Sequence, residues 1–289
     1  MRKTFFSGIL FLLLTGLLMA QRFGGRRGGF GGYGGEGGYI PESAQTAREV
    51  PSHSTGTPEW SNPAGFDKDV FTFVRVRRER NPNSSGASWQ TDTPDSDLNL
   101  SFRLQQMTSM KVNPDGRFLR LTDEHLADYP FIYMVEPGSL YLNEEEIVAL
   151  RNYLRNGGSL MLDDFWGEAE WANAERVLKQ VLPDRGFTEL PLEHPLYHCV
   201  FQINAKAQVP GISYWERSGG DTAERPDARI VHHRAIFDDR GHIMVIATHN
   251  TDNGDGWERE GENSEYFRNF SEKISYPLGI NIIFYQMTH

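Results

Sequence analysis

Residues 150–167 read LRNYLRNGGSLMLDDFWG and carry the clearest fold signal in the chain. The first part has Leu150 and Leu154 at helical spacing and ends in a Gly-Gly pair, which is typical of a helix C-terminus. The run that follows, residues 159–162, has the length and apolar character of a strand that is buried on both faces. We therefore predict a helix that turns directly into a central strand of a parallel sheet.

The neighbouring segments repeat this alternation of strand and helix. A short apolar run at residues 131–135 precedes a helix that begins at Asn143, with Glu146 in the capping-box position. A further helix is predicted at residues 168–182. Short connections between such elements require crossovers, which produce a mostly parallel sheet with helices on both faces. The pattern predicts a three-layer α/β domain.

Other segments complete this predicted domain, which we expect to span residues 66–289 as one unit. Alternation at residues 70–77 predicts a first strand, and residues 98–110 are predicted to form a helix. Two strand-like runs, residues 228–237 and 242–248, flank a turn signal and predict a C-terminal antiparallel hairpin. A closing helix is expected at the C-terminus, over residues 276–287.

The first 20 residues have the pattern of a secretory signal peptide. Arg2 and Lys3 precede an apolar run that ends at the small residue Ala20, so cleavage is expected before Gln21. The alternative is a retained anchor, but the run is shorter than the roughly 20 residues that a spanning helix needs. We expect an exported protein, periplasmic or extracellular, without a spanning segment after cleavage.

A low-complexity stretch follows the leader. In residues 21–39, ten of nineteen positions are glycine, and such a tract is costly to order and has little apolar surface to bury. Residues 40–65 are rich in Pro, Ser and Thr and are predicted to continue this disordered linker. The folded part is therefore expected to begin near Phe66.

The charge balance limits the partners. The 39 acidic residues outnumber the 29 Lys and Arg, for a net charge of -10, so nucleic acid and anionic membranes are not expected partners. Cys199 is the single cysteine, so an intramolecular disulfide is excluded and stability must come from the core.

Several motifs in a fixed order resemble a known family. From about residue 69 to the C-terminus the chain resembles the bacterial family named domain of unknown function 4159, within the class I glutamine amidotransferase-like superfamily that includes the ThuA-like branch. The motifs are FVRVRRE at residues 73–79, Trp89, GGSLMLDDFWG at 157–167, HPLYHCVF at 194–201 and HNTDNGDGWE at 249–258. The resemblance implies a flavodoxin-like α/β domain in an exported or membrane-facing protein, and it implies no established reaction.

The amidotransferase reaction is not expected from this chain. It requires a cysteine nucleophile on a tight strand-to-helix elbow, activated by a histidine. At the corresponding position the sequence has Asp163 and Asp164, followed by Phe165 and Trp166. We therefore predict no glutaminase activity.

The candidate site follows from the topology, because ligands of open parallel sheets bind beyond the carboxyl ends of the strands. Side chains of adjacent residues point to opposite sides of a strand, so one of the paired aspartates is expected to face the crevice. The predicted ligand-binding residues at these ends are Arg75, Arg77, Glu136, Asp163, Asp164, His249, Asn250 and Asp252.

No metal or cofactor is predicted. His194 and His198 have metal-ligand spacing, but two ligands are a weak signature and a packed loop explains them. The acidic residues from Asn250 to Glu258 fail the register of a calcium hand; turn chemistry explains them, with an irregular cation site as the alternative. Trp257 is expected to stack on a ligand or to cover the core.

Two functions fit these features. The favoured hypothesis is a non-catalytic module whose strand-end crevice binds a carbohydrate, a peptide or an envelope protein. The alternative is a cell-envelope or glycan hydrolase that uses Glu136 with Asp163 or Asp164 as acid and base.

Overall fold

The structure is a computed structural model that describes residues 40–66, 69–79 and 89–289. The predicted signal peptide and the glycine-rich tract lie outside the described residues. Among the described residues, no helix has both the length and the apolar character needed to cross a membrane.

Seven strands form one sheet, in the order β2-β1-β3-β4-β7-β6-β5. The bounds of the strands are β1 Val74–Val76, β2 Arg117–Leu119, β3 Phe131–Val135, β4 Ser159–Asp163, β5 Thr188–Glu189, β6 His232–Phe237 and β7 Ile243–His249. The pairs among β1, β2, β3, β4 and β7 are parallel, whereas β6 pairs antiparallel with both β7 and β5. Taken in chain order, the parallel strands have the order 2-1-3-4-5, which is that of flavodoxin-like folds.

Helices lie on both sides of this sheet. Their bounds are α1 Asp95–Met107, α2 Glu144–Arg155, α3 Gly167–Val181, α4 Ile212–Ser218, α5 Asn253–Glu258, α6 Ser264–Tyr266 and α7 Tyr276–Thr288, with a π-helix, Phe267–Ser275, joining α6 to α7. The predicted fold class, a mostly parallel α/β sheet with a C-terminal antiparallel pair, is confirmed.

Strand β3 illustrates how one strand supplies two cores. Its even-numbered residues, Ile132 and Met134, pack with α2 and α3 on one face. Its odd-numbered residues, including Phe131 and Tyr133, pack with α1 and α7 on the other. Because side chains alternate across a strand and both faces are covered, the sequence of such a strand is a continuous apolar run.

Helix α2 begins as its sequence predicts. The Asn143 side chain accepts a hydrogen bond from the backbone N–H of Glu146, and the Glu146 carboxylate accepts one from the backbone N–H of Asn143, both at 2.9 Å. This reciprocal capping box satisfies two backbone donors that a helix start leaves unpaired.

The segment before Phe66 differs from the prediction. The described residues 40–66 are packed against the domain, and Ile40, Ala44 and Ala47 are buried with Trp89 and Phe118. The apolar residues are few and spaced among Pro, Ser and Thr, so composition averaged over the segment conceals them. The packed chain therefore begins by Ile40 rather than near Phe66.

Polar contacts also hold this segment. The Arg77 guanidinium donates to the backbone carbonyls of Glu42 and Ala44 at 2.7 and 2.8 Å. Farther along, the His53 backbone N–H donates to the Asp95 carboxylate at 2.8 Å, at the start of α1. Buried charges require such partners, which explains why β1 and α1 depend on the segment.

We predict that a chain beginning at residue 66 is less stable than one beginning at residue 40, by about 3 kcal/mol or more. Removal of residues 40–65 exposes the apolar surface around Phe118 and leaves the buried Arg77 without its carbonyl acceptors. Urea unfolding of the two chains measures the difference. Equal free energies of unfolding would return the domain boundary to Phe66.

Candidate functional site

The carboxyl ends of β3, β4 and β7 meet at one edge of the sheet. Strand β3 leads into Glu136, β4 ends at Asp163, and β7 ends at His249 and leads through Asp252 into α5. The backbone N–H of Glu136 donates to the carbonyl of Asp163 at 2.9 Å, so the first two ends are hydrogen bonded to each other. This edge is where ligands of doubly wound sheets bind.

Asp163 is a structural residue at this edge. Its carboxylate is fully buried and accepts hydrogen bonds from the Thr248 hydroxyl, the Asn253 amide, the Gly254 backbone N–H and the Tyr133 hydroxyl. Burial raises the pKa of Asp163, and these hydrogen bonds oppose the shift because they favour the ionised form. The carboxylate thus joins β3, β4, β7 and α5.

Asp164 follows the last residue of β4, has a left-handed backbone with φ of 57° and is partly exposed. It belongs to a group that we call the acidic cluster: Asp92, Asp164, Asp252, Asp255 and Glu258. Within this cluster, single carboxylate oxygens of Asp92, Asp164 and Asp252 lie within 4.8 Å of one another, and so do those of Asp92, Asp255 and Glu258. Asp92 belongs to both groups of three.

Repulsion within the acidic cluster disturbs its titration. Burial raises the pKa of Asp164 well above its ordinary value, and the negative charges of Glu136 and Asp92 raise it further. Burial and the charges of Asp164 and Asp255 do the same to the pKa of Asp252. Carboxylates that crowd one site cannot all ionise without a compensating positive charge.

The two groups of three carboxylates differ in how far nearby positive charge compensates their negative charge. Arg259 lies 3.0 Å from an Asp255 oxygen and 2.9 Å from a Glu258 oxygen. Burial and neighbouring carboxylates nevertheless raise the pKa of Glu258 to about 10. For Asp164 and Asp252, by contrast, the strongest charge effects all come from other carboxylates. Asp164 and Asp252 therefore have the greater excess of negative charge around them, whereas Arg75 and Arg259 act to lower the pKa of Asp92.

The Asp92 carboxylate is incompletely hydrogen bonded. It is 7 % exposed, and within the described part of the chain its buried Oδ2 has no hydrogen-bond partner. Burial and the charge of Asp255 raise its pKa well above the ordinary value. A Cβ at position 254 would collide with Asp92 Oδ2, so glycine at this position allows α5 to approach Asp92.

Neighbouring polar groups orient the cluster. The Trp166 indole N–H donates to Asp164 Oδ1 at 2.9 Å, and the Asp255 backbone N–H donates to Asp252 Oδ1 at 2.7 Å. Glu224, whose carboxylate accepts a hydrogen bond from the Gly211 backbone N–H, adds further negative charge near Asp164 and Asp252. These contacts fix the directions of the carboxyl groups.

The two predicted arginines are engaged in structural contacts. Every side-chain nitrogen of Arg75 donates a hydrogen bond, with Asp97 in α1 as its buried ionic partner at 2.5 Å. Burial acts to lower the pKa of Arg75, but the charge and hydrogen bonds of Asp97 outweigh it and the pKa is raised. Arg77 lies 4.7 Å from the Trp89 ring centroid and bonds to the segment after Ile40. Among the described residues neither guanidinium donates a hydrogen bond to the acidic cluster, but the positive charge of Arg75 acts to lower the pKa of Asp92.

His249 and Asn250 are also directed away from the cluster. His249 is fully buried; its Nε2 donates to the Gly167 carbonyl at 3.0 Å, and burial lowers its pKa to about 4. The Asn250 side chain accepts from the Gly167 backbone N–H and donates to the Ile230 carbonyl, at 2.8 and 2.7 Å. Both residues hold the start of α3 against β7. Of the eight predicted residues, Asp164 and Asp252 thus enter the acidic cluster, and Glu136 adjoins it.

Packing and hydrogen bonds within the fold account for three other residues that the sequence singled out: Trp257, His198 and Cys199. Trp257 is fully buried against Tyr133 and covers the core. His198 is bound to Gln202 and to the Leu192 carbonyl, in a short helical turn. Cys199 is half-buried and burial raises the pKa of its thiol, which disfavours a reactive thiolate.

Sequence reasoning did not place Asp92, Arg78 or Glu224 at this edge, and it assigned Asp255 and Glu258 to turn chemistry. Asp92 follows Trp89 in the loop before α1, after the first strand, so the strand-end rule extended to that loop would have included it. Arg78 donates to the carbonyls of Val135 and Glu136 at 3.1 and 3.0 Å, between the ends of β1 and β3. No sequence signal marks Glu224.

A concave region lies at the opposite edge of the sheet. It is a depression of about 480 Å³ near the amino ends of β3 and β4, lined in part by Pro130 and Gly158. Its acidic residues, Asp123, Glu124 and Asp128, are exposed or half-buried, so it lacks the buried charge of the acidic cluster.

Fold and site together define a doubly wound α/β protein with buried carboxylates beyond its central strands. The chain belongs to the family described as Domain of unknown function (DUF4159), whose model matches residues 72–287. This range contains every member of the acidic cluster and confirms the family expected from the sequence motifs. No curated protein matches the chain.

We predict opposite effects for the two neighbouring aspartates. Asp163→Asn should lower the free energy of unfolding by about 3 kcal/mol, because an amide group would face donors that need an acceptor. Asp164→Asn should raise it in chelator-treated protein. A carboxyl group whose pKa is raised on folding contributes stability that is lost as pH rises from its ordinary pKa through the folded pKa, so the gain should grow as pH rises above about 4.

Urea unfolding at several pH values, with a metal chelator present, measures both effects. A stability gain for Asp164→Asn that did not change with pH would argue against repulsion among ionised carboxylates. Equal losses for the two variants would contradict the different roles assigned to them.

Proposed function

We propose that this chain is an exported, non-catalytic binding module that holds its ligand at the acidic cluster. The observation that carries the proposal is the convergence of Asp92, Asp164 and Asp252 at the ligand-binding edge of a doubly wound sheet. Buried carboxylates that repel one another destabilise the empty protein, so a ligand that supplies positive charge or hydroxyl donors is stabilised there. The ligand is a metal ion, a cationic peptide, a carbohydrate or a segment of an envelope protein.

The chemistry of the edge supports binding over catalysis. The strand-to-helix elbow has Asp164 where an amidotransferase needs a cysteine nucleophile, and the half-buried Cys199 lies elsewhere. Asp163, one of the two carboxylates considered for acid–base work, is fully buried and accepts four hydrogen bonds. A group held in this way does not exchange protons with a substrate readily.

A glycan hydrolase is the second candidate function. Glu136 and Asp164 are its remaining acid–base pair, and the charge of Glu136 contributes to the raised pKa of Asp164. A carboxyl group whose pKa is raised is better suited to act as a general acid than an ordinary aspartate is. This candidate predicts turnover of a glycan, whereas the binding module predicts a ligand that is released unchanged.

Export is part of the proposal because residues 1–20 have the basic, apolar and small-residue regions of a signal peptide. We expect the protein isolated from its producing cell to begin at Gln21. Intact mass spectrometry and N-terminal sequencing measure this start, together with fractionation of the cells. A full-length chain recovered from the cytoplasm would contradict export.

We predict that ligands of the acidic cluster raise the unfolding temperature of the full chain but not of an Asp164→Asn, Asp252→Asn double variant. The probes are divalent cations, lysine-rich peptides, neutral oligosaccharides and peptidoglycan fragments. A ligand present at 100 times its dissociation constant stabilises the protein by about 2.7 kcal/mol, which a thermal-shift assay resolves. Each stabilising carbohydrate is recovered and checked for cleavage.

The matched control is an Asp123→Asn, Asp128→Asn double variant, which removes the same charge from the depression at the opposite edge. It should respond to ligands as the unmodified chain does. Stabilisation that persists in the Asp164→Asn, Asp252→Asn variant, or no stabilisation by any probe, would refute the proposed site. Cleavage of a carbohydrate would favour the hydrolase.

A further inference from the structure

We propose that Asp92, Asp164 and Asp252 form a binding site for one hard divalent cation: calcium, manganese or magnesium. The inference rests on the proposed function and specifies the ligand of the same site. One carboxylate oxygen of each residue lies within 4.8 Å of the others. Oxygens that coordinate one calcium ion at 2.3–2.6 Å are separated by at most about 5 Å, so this spacing fits a shared ion.

The Asp92 side chain gives independent support. It is more than nine-tenths buried, its Oδ2 has no hydrogen-bond partner among the described residues, and one of its carboxylate oxygens is a member of the group. A buried ionised carboxylate without a donor is costly, and a coordinated cation removes that cost.

The donor set determines the class of ion. All three candidate ligands are carboxylates, and neither histidine nor cysteine joins them in the group. Hard cations prefer oxygen ligands, whereas zinc sites are usually built with histidine or cysteine. The partly exposed Asp164 gives the ion a route from solvent and leaves coordination positions for water or for part of a larger ligand.

The second group, formed by Asp92, Asp255 and Glu258, is the less suitable seat for an ion. Arg259 lies within 3.0 Å of both Asp255 and Glu258 and already supplies positive charge to them. Asp255 also accepts a hydrogen bond from the Ile212 backbone N–H. The cation therefore belongs between Asp92, Asp164 and Asp252, with the Trp166 and Asp255 N–H groups orienting its ligands.

Titration of the chelator-treated full chain with Ca²⁺, Mn²⁺ and Mg²⁺ by isothermal calorimetry tests the inference. We expect one ion per chain for at least one of them. Terbium provides a second readout, because Tb³⁺ replaces calcium at oxygen sites and is excited through a nearby tryptophan. Trp166 contacts Asp164, so bound Tb³⁺ should luminesce on excitation of the indole.

Four variants locate the ion. Asp92→Asn, Asp164→Asn and Asp252→Asn should each weaken binding at least about tenfold, since each removes a charged ligand. Glu258→Gln is the comparison variant from the second group and should weaken binding less than Asp164→Asn does, because it removes a neighbouring charge but not a proposed ligand. Circular dichroism and the unfolding temperature in chelator confirm that each variant is folded.

The outcomes separate this inference from the proposed function. If no cation binds, or if binding survives Asp92→Asn and Asp164→Asn in folded protein, the cation site is refuted. If a peptide or sugar still binds in a manner that depends on Asp164 and Asp252, the binding module stands without it. If Glu258→Gln weakens binding as much as Asp164→Asn does, the ion is not confined to the three proposed ligands and the assignment fails.

Discussion

The buried carboxylate of Asp163 is the interaction on which the rest of this edge depends. A charge removed from water must be matched by donors, and here the donors come from β3, β7 and α5. The Gly254 backbone N–H is one of them, so the short helix α5 is held over the ends of the central strands. This placement brings Asp252, Asp255 and Glu258 close to Asp92, which lies in the loop before α1. The acidic cluster is thus a consequence of how one buried charge is satisfied.

The two sides of the same edge handle buried charge in different ways. Beneath α1, Arg75 and Asp97 form a buried, hydrogen-bonded ion pair in which the two opposite charges compensate each other. The groups of this pair are therefore not available to bind a ligand. In the acidic cluster, several carboxylates share a small volume, with Arg259 compensating two of them. A protein that keeps such an unbalanced group gives up stability in the empty state, because repulsion and desolvation both oppose ionisation. In the binding function that we propose, a positive or hydrogen-bond-donating ligand at the site restores that stability.

Much of the fold could be predicted from local pattern, and the site only in part. The helix from Asn143, the double-glycine turn and strands β3 and β4 were predicted because capping and two-faced burial leave local signatures. Strands β2 and β5, with three and two residues, are too short to show a periodicity, and the packed segment after Ile40 is hidden by its average composition. Four predicted residues lie near strand ends, yet their side chains make contacts within the fold and are not available to a ligand. They are Arg75, Arg77, His249 and Asn250. A strand-end rule locates an edge but does not say which polar groups remain available there.

Periodicity and residue order along the chain were enough to predict the class of fold, the family and the position of the acidic residues at strand ends. Tertiary structure alone decided which of Asp163 and Asp164 is a structural acceptor and which faces the cluster. It also decided that Asp92, more than 70 residues from Asp164 in sequence, shares a site with it and with Asp252. The physical reason is that the energy of a carboxylate depends on the donors, charges and solvent within a few ångströms, and those neighbours come from segments that only the folded sheet brings together.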